Sequence, residues 1–117
     1  MAYQYKQEHN IQSLIMIKLS EMGYIPLRAN AGRFWQGQQA TINGDRILTN
    51  LKAVQGMPEG TSDIICIMDN GRVAWIECKT ATGRQRDAQK RFQAMVESLG
   101  HKYYIMRSVE DIELLKE

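Results

Sequence analysis

Apolar positions along this chain repeat with two different periods, and the changes between them mark out the elements. From about Tyr5 to Met22, Ile11, Leu14, Ile15, Leu19 and Met22 recur at three- and four-residue steps, with Lys18 on the same stripe. That spacing predicts an amphipathic helix, and Gly23 is a natural stop for it. Tyr24 to Asn30 reads as a strand of the main sheet, broken by Ala31-Gly32. At Asp63 the pattern becomes a short branched run, Ile64-Ile65-Cys66-Ile67-Met68. A turn at Asp69-Asn70-Gly71 follows, and then a returning run, Arg72 to Lys79. Branched and aromatic runs about an Asn-Gly turn predict an antiparallel hairpin. Arg84 to Leu99 returns to helical spacing, with Gln85, Gln89, Phe92 and Val96 on one face and Ala88, Met95 and Leu99 close by; Gly100 ends it. Lys102 to Arg107 predicts a strand. Ser108 is a good N-cap for a last helix, with Asp111 where a capping box has glutamate.

Residues 31–55 fit neither period. Arg33-Phe34-Trp35-Gln36-Gly37 and Arg46 to Leu51 bracket Asn43-Gly44-Asp45, which predicts a loose hairpin or extended excursion. Phe34 and Trp35 read as core aromatics or as contacts to a base or sugar. The element order is helix, strand, variable insert, hairpin, helix, strand, helix. It predicts one α/β domain over residues 1–117, a mixed sheet flanked by helices. No internal repeat or low-complexity segment interrupts it.

Composition narrows the class. The 117 residues suffice for one core, and 44% hydrophobic with 24% charged residues is ordinary for a soluble globular protein. Cys66 and Cys78 lie in apolar strands without zinc-site spacing and read as reduced core residues; a cross-strand disulfide is the alternative. No run approaches a membrane span, and Met1 to Lys6 does not read as a signal peptide, so a cytoplasmic location is expected. A net charge of +2 neither demands nor excludes nucleic acid. Clustering matters more: Lys79, Arg84, Arg86, Lys90 and Arg91 fall close together. Alone they read as a solvated helix face; beside a metal site they read as phosphate contacts.

The candidate chemistry lies on the predicted hairpin. Glu77 and Lys79, two apart on a strand, share a face, and Cys78 points away. Hairpin pairing returns Asp63 to their side. Two carboxylates close together repel unless a cation sits between them. Hard divalent cations take oxygen ligands, commonly one or two carboxylates with waters and a substrate phosphate. A lysine beside such an ion can orient a water aimed at phosphorus. Glu8 lies three residues before Ile11 and seven before Ile15, which at roughly 100° per residue places it on the apolar stripe. A buried acid needs a partner or a metal. A frayed helix start, where negative charge is favourable, is the plainer account of Glu8.

Asp63 followed by Glu77-Cys78-Lys79 resembles the D…(D/E)xK signature of the PD-(D/E)xK nucleases. With Gly60-Thr61-Ser62 before it, Gly83 to Gln89 after it and Glu8 near the start, the chain is similar to a stand-alone VRR-NUC (virus-type replication-repair nuclease) domain of phages and bacteria. Pro58 stands in for the superfamily's proline, although it does not adjoin the aspartate. The resemblance implies a restriction-endonuclease-like fold. It also implies a DNA endonuclease dependent on Mg²⁺ or Mn²⁺, with Asp63, Glu77, Lys79 and Gln89 as catalytic residues. Glu8, Asp63, Glu77 and the Cys78 carbonyl would hold the metal, and Arg84, Arg86 and Lys90 the DNA backbone. Attack in line would leave a 5′-phosphate. Selectivity for branched, flapped or Holliday-junction DNA, and a homodimer that cuts two strands, are further expectations from the resemblance. No organic cofactor is expected. Two other readings stand beside it: a non-catalytic nucleic-acid-binding protein whose charges form an ion-pair cluster, and a sequence-specific restriction-type endonuclease.

Overall fold

The computed structural model describes residues 2–29 and 31–116; the side chains of residues 2–6 and of Arg33 lie outside that description. The first helix, α1 (Ala2–Glu21), leads into β1 (Ile25–Arg28). A long hairpin, β2 (Arg33–Ile42) and β3 (Asp45–Gln55), precedes the central pair β4 (Ile64–Ile67) and β5 (Val73–Cys78). Then come α2 (Asp87–Ser98), β6 (Lys102–Met106) and a 3-10 helix over Val109–Lys116. β1, β4, β5 and β6 form one mixed sheet in that order, antiparallel except for the parallel β5–β6 pair. The β2–β3 pair is a separate two-stranded sheet. Among the described residues no helix is long and apolar enough to cross a membrane.

Side-chain alternation splits the main sheet into two unlike faces. Ile64, Cys66, Ala74, Ile76, Cys78 and Met106 face α1 and the C-terminal 3-10 helix, and bury against Ile15, Leu19, Ile112 and Leu115. The other face carries Ile65, Trp75, Glu77 and Tyr103, over which α2 lays Phe92; its ring meets Trp75 at 5.6 Å and Tyr103 at 6.3 Å, edge on. The hairpin turn is a 3-10 turn at Asp69–Gly71, with Asn70 in the left-handed region. Cys66 sits opposite Ala74, not Cys78, and both thiols are free and buried. Burial pushes the Cys66 thiol up to about 11.

Three expectations change in detail. Leu14, on the predicted stripe of α1, is 55% exposed, because Ile15 and Leu19 take the core face. α2 begins at Asp87, three residues later than the spacing predicts, because the 84–86 stretch is drawn toward the sheet end. The insert is a regular ribbon rather than a loose one. Its strands pair from Arg33↔Gln55 to Ile42↔Asp45 around the Asn43-Gly44 turn, with one register shift near Gly37. Phe34 and Trp35 are exposed on it, so neither is a core aromatic.

Candidate active site

The start of β4 and the end of β5 meet at one end of the main sheet. Chain geometry there is fixed by hydrogen bonds rather than by apolar packing. Asp63 immediately precedes β4, and its Oδ2 accepts the Cys78 N–H at 2.7 Å. Its carbonyl accepts the Ala29 N–H at 2.9 Å, which ties β1 to the same point. The approach loop is equally constrained. Thr61 Oγ1 donates to the Pro58 carbonyl at 2.6 Å, and Thr61 and Ser62 are buried. Gly60 has φ +86°, and a Cβ there would stand 2.2 Å from the Ala88 carbonyl oxygen. After β5, the Lys79 N–H donates to the Met106 carbonyl at 3.0 Å. One guanidinium, Arg107, donates to the carbonyls of Thr80 and Gly83 at 2.6 and 2.7 Å and holds the loop beyond Lys79.

Glu77 and Lys79 are both buried, as strand alternation places them, on the same side of the sheet end. Lys79 Nζ lies 3.5 Å from Glu77 Oε2 and 4.0 Å from Glu8 Oε1. Glu8 therefore comes from α1 to the same spot, with its side chain 29% exposed. The four side chains form a charged knot of three carboxylates and one ammonium. Burial pushes the Asp63 carboxyl above its ordinary 3.8; the Cys78 N–H pulls it down, Glu77 pushes it up again, Lys79 lowers it and Glu8 raises it. A cleft of about 80 Å³ between Glu8, His9, Gln12 and Asp63 opens onto the knot, large enough for several waters. His9 lines that cleft beside Glu8.

The two oxygens of Glu77 are treated differently. Oε1 accepts from the Tyr103 hydroxyl and from Gln85 Nε2, the latter at 3.1 Å. Oε2 is buried and, among the described residues, accepts no hydrogen bond; the Lys79 ammonium faces it at 3.5 Å. Gln89 takes another place: it is buried, and its Oε1 accepts the Arg86 N–H at 2.8 Å, closing the first turn of α2. Cys78 points its thiol into the core, where burial and then the Asp63 and Glu77 carboxylates push it upward, so only its backbone faces the site. Arg84, Arg86 and Lys90 are exposed around the start of α2, and Arg86 lines a cleft with Gly32, Glu59 and Gly60. Spacing along the chain does not single out Gln85 or Tyr103 as site residues. It assigns Gln85 to a helix face that in fact starts beyond it, and Tyr103 reaches the site only through the parallel β5–β6 register.

The charged knot stands at the end of a mixed sheet with helices on both faces, and the comparisons identify that arrangement as a nuclease-type fold. The chain belongs to the VRR-NUC domain family, whose family model matches residues 6–110. A solved structure described as a VRR_NUC domain superposes with a TM-score of 0.61 at 14% identity, covering 93% of this chain and 92% of the other. At that identity the likeness concerns the fold. The comparison with curated proteins returned no match.

Among the described residues, no three His, Cys, Asp or Glu side chains converge as a ready-made metal site. Instead, the Lys79 ammonium stands among the carboxylates and supplies the positive charge. The donor set still fits a hard cation. It consists of carboxylate oxygens, one of them buried without a hydrogen bond and 3.5 Å from the Lys79 ammonium, beside a second carboxyl whose ionisation burial opposes.

Proposed function

We propose that this chain is a metal-dependent endonuclease that hydrolyses phosphodiester bonds in branched or junction DNA, and that it works as a homodimer. The observation carrying the reading is the buried Glu77 Oε2, which accepts no hydrogen bond from the described residues and faces only a cation, Lys79, with Asp63 and Glu8 at the same sheet end. Asp63, Glu77 and the Cys78 carbonyl would hold Mg²⁺ or Mn²⁺, with Glu8 binding directly or through water. Such an ion polarises the scissile phosphate and lowers the pKa of a bound water. The protein's own groups do the rest. Lys79 orients the attacking water and stabilises charge as the bond to the 3′-oxygen breaks, which leaves a 5′-phosphate. Gln89 holds the start of α2, so that Arg84, Arg86 and Lys90 can face the DNA backbone. Phosphate contacts position a duplex without reading its bases, so selectivity would come from nucleic-acid shape.

The homodimer has its own support. α2 covers the β5–β6 half of its sheet face and leaves the β1–β4 half bare: Ile25, Leu27 and Ile67 are 56%, 46% and 43% exposed on that face. An apolar, uncharged patch offers nothing to phosphate, and a second copy related by a two-fold axis would cover it with the same patch.

Incubation of the purified chain with supercoiled, junction, flapped and linear DNA, in Mg²⁺, Mn²⁺ or EDTA, tests the activity. Cleavage of junction DNA in metal only, abolished by Glu77→Ala and slowed by about 10²–10⁴-fold in Lys79→Ala, is the expected result. DNA binding that is unchanged by Glu77→Ala, with no cleavage of any substrate, would instead identify a non-catalytic binding protein. Cutting confined to one short sequence in linear duplex would identify a restriction-type enzyme.

A further inference from the structure

We infer that Tyr103 and Gln85 are positioning residues, a pair of donors that fixes Glu77 and presents one of its oxygens to the cation. The inference rests on the metal-dependent reading above and adds to it how this chain prepares its ligand. Both donors converge on the same oxygen, Oε1, and leave Oε2 buried, facing the Lys79 ammonium at 3.5 Å and without a hydrogen bond among the described residues. A carboxylate free to rotate would share its donors between both oxygens. Here rotation would break a buried and a part-buried hydrogen bond at once, and a buried polar group deprived of its partner is costly.

Each donor is itself held. Tyr103 sits beside Trp75 in the parallel register, two pairs behind Glu77↔Ile105, so its ring extends along the strand toward the sheet end. Phe92 braces that ring edge on at 6.3 Å. Gln85 Nε2 has two hydrogens and uses both, one to Glu77 Oε1 and one to Gln93 Oε1 at 2.9 Å. The reversed amide would set its oxygen against the carboxylate. Gln93 donates in turn to Glu97 at 3.5 Å, so the Gln85 orientation is anchored along α2. Outer partners of this kind commonly set metal affinity by about 10–100-fold when removed.

The experiment measures Mn²⁺ binding to the full chain by calorimetry, alongside thermal unfolding in EDTA, for wild type, Tyr103→Phe and Gln85→Met. Tyr103→Phe keeps the ring against Phe92; Gln85→Met changes a residue outside any helix or strand, so at least one variant is expected to fold. The expected result is a Kd for Mn²⁺ raised about tenfold or more in a folded variant, with cleavage restored by excess Mn²⁺ and DNA affinity in EDTA unchanged. Wild-type Mn²⁺ affinity in a folded variant overturns the positioning role and leaves the nuclease reading intact. Absence of Mn²⁺ binding by the wild-type chain overturns both.

Discussion

Asp63 carries a charge that its surroundings disfavour. Burial raises its carboxyl pKa, and Glu77 and Glu8 add to the rise against the opposing pull of the Cys78 N–H and Lys79. The native state therefore holds this proton to a higher pH than the unfolded chain, whose value stays near 3.8. Where the native state binds more protons, stability falls as pH rises. Metal-free protein should thus lose stability as pH climbs from about 4 through the raised native value, and Asp63→Asn should remove that part of the slope. Thermal unfolding in EDTA across this range checks it. A variant less stable than wild type near pH 7 would show that the charged form is the one the fold prefers. The same reasoning explains why a site this acidic keeps a buried lysine: a carboxylate pair out of water needs a cation close by.

At the scale of elements, the site depends on how closely the approach loop meets α2. Gly60 combines a positive φ with a backbone contact that no side chain would fit, since any Cβ would come within 2.2 Å of the Ala88 carbonyl oxygen. Gly60→Ala should therefore destabilise the protein by about 1–3 kcal/mol and displace Asp63. Urea unfolding measures the first effect, and loss of Mn²⁺ affinity the second. Retention of wild-type stability would mean that the loop can move away from α2 without cost. The sequence marked this loop by its Gly-Met-Pro-Glu-Gly run and marked the hairpin by Asn70-Gly71. It did not mark the true start of α2. Helical spacing runs through Gln85, but the hydrogen bond from Gln85 to Glu77 wins over one more helical turn. At the last helix, Ser108 was legible as a cap, whereas the bond observed is Asp111 Oδ2 accepting the Arg107 N–H at 2.7 Å. Arg107 could not be found from spacing, because its role is to satisfy two loop carbonyls far from it in sequence.

The whole molecule is elongated, with a radius of gyration of 16.7 Å and extents of 55 × 29 × 27 Å. A compact chain of this length has a radius near about 13 Å. The β2–β3 ribbon accounts for the difference. Isolated two-stranded ribbons are marginal in water, and this one exposes Trp35, Leu48 and Leu51. Together with the bare β1–β4 face, that surface calls for cover. Light scattering should give twice the 13.5 kDa chain mass for the wild type. It should give the single mass for a Leu27→Arg, Ile67→Lys double variant, with nicking of single strands kept and paired cutting of junctions lost. A monomeric wild type at high concentration would remove the dimer.

By itself the sequence determined the hairpin, its acids and lysine, and the two flanking helices. Turn residues and apolar period are local properties, and a strand's two-residue alternation is enough to put Glu77 and Lys79 on one side. Only the tertiary structure decided which Glu77 oxygen faces Lys79 without a hydrogen bond, that Tyr103 and Gln85 occupy the other, and that half of one sheet face is uncovered. Those facts depend on the parallel register of β5 and β6 and on where α2 comes to rest. Contacts between segments far apart in the chain set both, and no local pattern records them.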